Sequence, residues 1–380
     1  VKKVKTEFLS LDRAFSLQNA PGFGPVTLAY ETYGTLSPSG DNAILLFHAL
    51  SGSQHAAGCN PLVPGVGSLW NHECHTGWWN GFVGPGKALD TSQFFIICAN
   101  YIGGCYGSTG PTTLDPSSKI PYGGSFPWIT ANDIVDSQIC LLDHLGIKQL
   151  HAVVGSSLGG MLALNLSVRY PNRVRIVVPL AAGASVTILQ LIHNFEQICA
   201  IEKDPNFNGG NYYDGPFPEK GLSLARMISH KTFVSLWTLA RRARREMIDS
   251  PDGGPNGYRL THPVESYMLH QARKFVKRFD ANTYLRIMNL WQNFNLVRDA
   301  RSRSLLTLFN RCRNQHFLVF SIDSDVCFYP EEQEQLVRTL EKSRVPSQHI
   351  TVHSEKGHDA FLLEPGLFTP HLVYTLQGRW

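Results

Sequence analysis

Short apolar runs alternate with longer amphipathic stretches through the first half of this chain. Residues 26–33, 43–47, 94–99, 150–154 and 174–180 are apolar or β-branched runs of strand length, separated by turn-forming residues. Residues 134–145 instead repeat their apolar positions at helical spacing. The alternation predicts an α/β fold, a mostly parallel sheet with helices on both faces. From about Ser185 the pattern changes. As far as about Asn295 the periodicity is helical, with Pro/Gly-rich breaks at 204–210 and 250–257. Strand-like runs return at 316–322 and 349–353. Residues 1–184 and 301–380 therefore read as two parts of one core. Residues 185–300 read as a helical lid inserted over the C-terminal sheet edge, where open parallel sheets bind their ligands.

The run ending at Val154 feeds into Gly155-Ser156-Ser157-Leu158-Gly159-Gly160, and a helical Met161-Leu162-Ala163-Leu164 follows at once. This is a G-x-S-x-G elbow in the strand–turn–helix setting that gives it meaning. The turn is too sharp for side chains at 155 and 159. It holds the Ser157 hydroxyl clear of the sheet at a helix N-terminus, where backbone N–H groups can receive an oxyanion.

A serine hydroxyl is a weak nucleophile until a base takes its proton and a carboxylate orients that base. The elbow's partners follow in the order acid, then histidine. After 316–322 comes Asp323-Ser324-Asp325; Asp325, further into the loop, is the expected acid, and Asp323 the residue that closes the turn. After 349–353 comes Gly357-His358-Asp359; His358 is the expected base, and His349 and His353 are explained by packing. The oxyanion hole needs two backbone donors. Leu158, after the nucleophile, is one; Leu50, in His48-Ala49-Leu50-Ser51-Gly52, is the other, with Gly52 permitting the tight approach. The set describes acyl transfer through a serine ester.

Composition narrows the alternatives. Of 380 residues 17% are charged and 43% hydrophobic, with a formal net charge of +4; this excludes a disordered chain and argues against nucleic acid as a partner. The basic run Arg241-Arg242-Ala243-Arg244-Arg245 reads as a solvated helix face, or else as a contact for phosphates. The eight cysteines lack even spacing, and Cys98, Cys140 and Cys199 lie in apolar segments, as in a reducing compartment. His72-Glu73-Cys74-His75, with Cys59, lacks paired metal-ligand spacing, so no metal is expected. No run is long enough to span a bilayer. No apolar stretch follows Lys2, Lys3 and Lys5, so the expected location is cytoplasmic.

The chain resembles the homoserine O-acetyltransferases, of the α/β-hydrolase fold, nearly end to end. The resemblance rests on Ala29-Tyr30-Glu31-Thr32-Tyr33-Gly34, His48-Ala49-Leu50-Ser51-Gly52, Gly77-Trp78-Trp79-Asn80, Gly103-Gly104-Cys105-Tyr106-Gly107, Leu224-Ala225-Arg226-Met227, Arg278-Phe279-Asp280-Ala281-Asn282 and Gly357-His358-Asp359. It implies that Ser157 takes an acetyl group from acetyl-CoA, a substrate and not a resident cofactor, and passes it to the hydroxyl of L-homoserine in methionine biosynthesis. Arg226 matches the family's position for the acceptor carboxylate, and Asp359 its position for the ammonium. The resemblance also implies a homodimer built through the lid, and it assigns no CoA-binding residues. Ser156 and Leu158 stand where the family usually has glycine and methionine, and Phe233 where it often has tyrosine. Trp291-Gln292-Asn293-Phe294-Asn295 lacks the family's His-Asp pair. These departures leave L-serine as acceptor or succinyl-CoA as donor as competing expectations; a separate one is a serine esterase that uses the same triad with water as acceptor.

Overall fold

The computed structural model describes residues 3–11, 15–245 and 258–378; the 250–257 break lies outside the described residues. Among the described residues eight strands form one sheet: β1 (Glu7–Ser10), β2 (Thr27–Tyr33), β3 (Ala43–Phe47), β4 (Phe95–Ala99), β5 (Leu150–Ser156), β6 (Val174–Leu180), β7 (His316–Ile322) and β8 (Ser347–Val352). Their order is β1-β2-β4-β3-β5-β6-β7-β8. The β1–β2 and β2–β4 pairs are antiparallel and all others parallel.

The expected strands are found within one to two residues. β1 gave no signal in the pattern, because Glu7, Phe8 and Ser10 are exposed and an edge strand is held mainly by its neighbour's backbone. β5 runs two residues past its apolar core, since Gly155 and Ser156 still pair with Pro179 and Leu180. β8 ends at Val352, so His353 lies beyond the strand. It is exposed and donates to Asp323 at 2.9 Å; packing does not explain it.

Alternate strand residues feed two cores, as a period of two requires. Leu45, Phe47, Val153, Val177 and Val319 face one way; Ile44, Leu46, Val154, Val178 and Phe320 face the other. The first face carries α1 (Ala131–His144) and α2 (Leu158–Arg169). α1 begins three residues before its apolar pattern because a capping box satisfies its first turn. The Thr130 hydroxyl accepts from the Asp133 N–H, and the Asp133 carboxylate accepts from the Thr130 N–H at 2.7 Å.

Between β6 and β7 the chain is helical: α3 (Ile188–Glu202), α4 (Glu219–Phe233), α5 (Leu236–Arg245), α6 (Pro263–Val276), α7 (Ala281–Gln292) and the short α8 (Leu296–Asp299). The two ends of this excursion meet at a bridge between Ser185 and Asn295, and the Leu296 N–H donates to the Ala184 carbonyl at 3.0 Å. Then follow α9 (Leu305–Phe309), α10 (Pro330–Lys342) between β7 and β8, α11 (Ala360–Leu363) and α12 (Pro365–Leu376). Among the described residues no helix is long and apolar enough to cross a membrane. No disulfide joins any of the eight cysteines.

Candidate active site

Ser157 follows β5 and takes the N-cap position of α2 with φ 56° and ψ −127°, a conformation that costs a non-glycine residue of order 1–3 kcal/mol. The surrounding glycines show why the turn is nonetheless formed. A Cβ on Gly155 would lie 2.1 Å from the Gly159 carbonyl oxygen, and one on Gly159 2.2 Å from the Phe47 oxygen. A Cβ on Gly160 would lie 2.5 Å from the Ala182 methyl. Strand, turn and helix close on each other without room for a side chain, and Ser157 stands at the apex. The Ser156 side chain fits, wholly buried, but its hydroxyl has no hydrogen-bond partner among the described residues.

Asp325 lies on the loop after β7 and His358 on the loop after β8. The two meet at 2.6 Å, Nδ1 to Oδ2, with both side chains buried. The other Asp325 oxygen accepts the N–H groups of Cys327 and Phe328 at 2.7 and 2.9 Å, which fixes the carboxylate. Asp323 accepts the Ser354 N–H at 3.0 Å and so ties together the two loops that carry Asp325 and His358. The His358 ring is enclosed by aromatics: Phe328 stacks at 5.4 Å, Phe361 meets it edge-on at 5.1 Å and Phe233 lies at 5.9 Å. Its Nε2 is buried and unpartnered among the described residues. Ser157 and His358 thus share one sheet edge without a hydrogen bond between them, a contact that commonly tightens only when substrate arrives.

Leu158 opens α2, so no carbonyl a turn earlier in the helix accepts from its N–H. The Leu50 N–H donates to no backbone acceptor among the described residues. Both residues line one small cavity with His48, Tyr101 and Ile287. Gly52 is packed as expected, since a Cβ there would lie 2.9 Å from the His48 Cβ. His48 stacks on Tyr101 at 3.7 Å, and burial pushes its pKa down to about 4, so it is neutral.

Arg226, on α4, is half-buried. Its guanidinium lies over the rings of Phe233 and Phe275, at 5.5 and 4.8 Å, and its Nε has no partner among the described residues. Burial, and then the nearby charge of Arg278, lower its pKa, while Asp359 opposes them. Asp359 follows His358. Burial raises its pKa, against the pull of His358, Arg226 and Arg242. Opposite charges thus act on each other across the site, each more deeply placed than a surface group and neither neutralised by direct pairing among the described residues. The side chains of Arg244 and Arg245 lie outside those described, and the first two arginines of the basic run differ. Arg241 lies over the exposed Trp237 at 4.8 Å, whereas Arg242 turns inward and donates to the Tyr267 hydroxyl at 3.4 Å.

Around Cys59 the side chains have other partners: Glu73 pairs with Lys274 at 3.0 Å, and Cys74 contacts the Leu69 carbonyl. Among the described residues no three His, Cys, Asp or Glu side chains converge as metal ligands do.

Three features escaped the sequence reading. Phe328 links His358 to Trp291, the indole stacking on Phe328 at 5.5 Å with planes 4° apart; the apolar Cys327-Phe328 beside Asp325 was the available signal. Glu332, at the start of α10, has its pKa raised to about 7, by burial first and also by Asp325; nothing in the sequence marks it. Arg278 stands at the head of the Arg-Phe-Asp-Ala-Asn string, which carried the resemblance without assigning that arginine a role.

The family model of the alpha/beta hydrolase fold matches residues 42–365, the class that the sheet and elbow define. Among curated relatives, a homoserine O-acetyltransferase of Solidesulfovibrio magneticus is 41% identical over 96% of this chain and 90% of its own. A homoserine O-succinyltransferase of Magnetococcus marinus is 42% identical over 93% of this chain and 89% of its own. The crystal structure of homoserine O-acetyltransferase from Bacillus anthracis is 26% identical and superposes with a TM-score of 0.87, over 99% of this chain and 98% of that one. The chain belongs to the homoserine O-acetyltransferase family of alpha/beta hydrolase-fold enzymes.

Proposed function

We propose that this enzyme transfers an acetyl group from acetyl-CoA to L-homoserine through an acyl-enzyme on Ser157. The Ser157 Oγ attacks the thioester carbonyl carbon and gives its proton to His358. The C–S bond breaks, and CoA leaves with that proton. The homoserine hydroxyl then attacks the serine ester, its proton again passing to His358, and O-acetyl-L-homoserine is released with the serine restored. The Leu50 and Leu158 N–H groups stabilise each oxyanion, and Asp325 holds His358 in the tautomer that accepts at Nε2.

The observation that carries this reading over hydrolysis is the Arg226–Asp359 arrangement. Two opposite charges kept half-buried and apart are costly to hold without a ligand, and an α-amino acid supplies the carboxylate and ammonium that complete them. Homoserine as acceptor and acetyl as acyl group follow the names of relatives near 40% identity. The succinyltransferase relative is the reason to test a second donor. The aromatic enclosure of His358 supports transfer too, because it keeps water from the acyl-enzyme.

The reading extends to a cytoplasmic homodimer joined through the helices between β6 and β7, acting as a lid. Ile188, Ile192 and Phe195 of α3 are 74%, 49% and 61% exposed. Their spacing places them on one helix face, an apolar patch of the kind that marks an interface.

CoA release measured with a thiol reagent tests the function. Homoserine-dependent release that vanishes in Ser157→Ala supports transfer. Equal release without homoserine would make water the acceptor. Turnover with succinyl-CoA or L-serine, but not with acetyl-CoA and homoserine, would replace the proposed substrates.

A further inference from the structure

The turn between α6 and α7 carries Arg278, which no role above has used. Its guanidinium reaches across to the loop that holds Leu50. Nη2 donates to the Ser51 hydroxyl at 3.1 Å, and Nη1 donates to the Tyr106 hydroxyl at 3.1 Å. A longer contact of 3.4 Å reaches the Ser51 carbonyl. Tyr106, itself buried, donates back to the Arg278 carbonyl at 2.6 Å. The arginine is thus braced at backbone and side chain, its fork shared between Ser51 and Tyr106.

Residues 49–52 form a tight turn closed by the Gly52 N–H on the Ala49 carbonyl at 2.7 Å. Leu50 and Ser51 are its two central residues. Arg278 holds the second, and the first presents the N–H assigned to the oxyanion. An oxyanion donor acts only when held within a few tenths of an ångström of its aim, and a tight turn on a loop does not by itself supply that rigidity. The acceptor side is linked to the same place: Arg226 and Arg278 both lie against Phe275, at 4.8 and 5.2 Å.

We propose that Arg278 is a positioning residue for the oxyanion hole, fixing from the helical insertion the Ser51 side of the turn and hence the direction of the Leu50 N–H. The inference rests on the proposed acyl transfer through Ser157, with Leu50 as an oxyanion donor. It assigns Arg278 to both halves of the reaction, because the same hole serves acylation and deacylation.

The test compares the full-length enzyme with Arg278→Met, Arg278→Lys, Ser51→Ala and the Arg278→Met/Ser51→Ala double variant. Each is assayed by homoserine-dependent transfer and by hydrolysis of p-nitrophenyl acetate. Arg278→Met is expected to lower kcat about 10- to 100-fold in both assays, less than the full loss of one oxyanion donor. KM for homoserine stays within about twofold of wild type, since uniform binding is untouched. Arg278→Lys recovers part of the loss, keeping the charge but not the fork. Ser51→Ala lowers kcat several-fold, and the double variant is little worse than Arg278→Met, as for two parts of one contact. A raised homoserine KM with unchanged kcat, or additive losses in the double variant, would overturn the proposal. If Arg278→Met does not fold, Ser51→Ala decides, and an unchanged kcat there overturns it. Failure of the parent reading is separately visible: Ser157→Ala would then retain p-nitrophenyl acetate hydrolysis.

Discussion

His358 Nδ1 and Asp325 Oδ2 lie 2.6 Å apart between two buried side chains, while the second Asp325 oxygen is held by two backbone N–H groups. The carboxylate cannot turn away, so it sets which imidazole nitrogen carries the proton. Asp325→Asn keeps the backbone contacts and presents an amide N–H to Nδ1, which forces the other tautomer. It is expected to lower kcat by about 10³- to 10⁴-fold with little change in melting temperature. Steady-state assay beside a thermal melt checks this. A loss below about tenfold would place the orienting acid elsewhere.

On the proposed reading, Arg226 and Asp359 separate transfer from hydrolysis. Arg226→Ala should depress homoserine-dependent transfer far more than p-nitrophenyl acetate hydrolysis, because the ester carries no carboxylate for it to hold. Asp359→Asn should do the same, through the ammonium. Parallel losses in the two assays would remove both residues from the acceptor site.

Glu332 makes stability depend on pH in a predictable direction. Its pKa is raised from the ordinary 4.5 to about 7, so between those values the folded protein holds a proton that the unfolded chain has released. Stability from this group is therefore full below the unfolded pKa and is lost as pH rises through about 7. Glu332→Gln keeps the carbonyl that accepts the Tyr329 N–H and removes the titration. The melting-temperature gain of the variant should be larger at pH 8 than at pH 5; an equal gain at both would show that Glu332 titrates normally.

The elbow gives a prediction about folding. Gly159→Ala drives a methyl to 2.2 Å from the Phe47 oxygen, which backbone cannot relieve cheaply. The expected destabilisation is about 3 kcal/mol or more. Gly366→Ala, in open space near the start of α12, is the control and should be neutral or stabilising, by up to about 1 kcal/mol. Urea unfolding distinguishes the two, and equal effects would contradict the packing account.

How much of this was legible in the sequence follows from the range of the forces involved. The sheet was legible because a buried parallel strand must be apolar along its length, as Ala43–Phe47 and His316–Ile322 are. The elbow was legible because only glycine fits where Gly155 and Gly159 press on backbone. Asp325 and His358 followed from motif order and are brought together by the β7 and β8 loops. Edge strand β1 was hidden, since its side chains are mostly exposed and its register comes from β2. Arg278 was hidden as well, because its partners Ser51 and Tyr106 are more than 170 positions away in the chain and no local pattern records such a contact. The aromatic enclosure of His358 drew on Phe233, Phe328 and Phe361, three segments that only the fold brings together.

The central claim is a covalent acyl-enzyme on Ser157, and mass spectrometry of the intact protein and its peptides tests it most directly. With acetyl-CoA and no acceptor, the enzyme should gain the mass of one acetyl group on the peptide bearing Ser157, and should lose it when L-homoserine is added. No adduct on that peptide while homoserine-dependent turnover continues, or an adduct on another residue, would contradict the account.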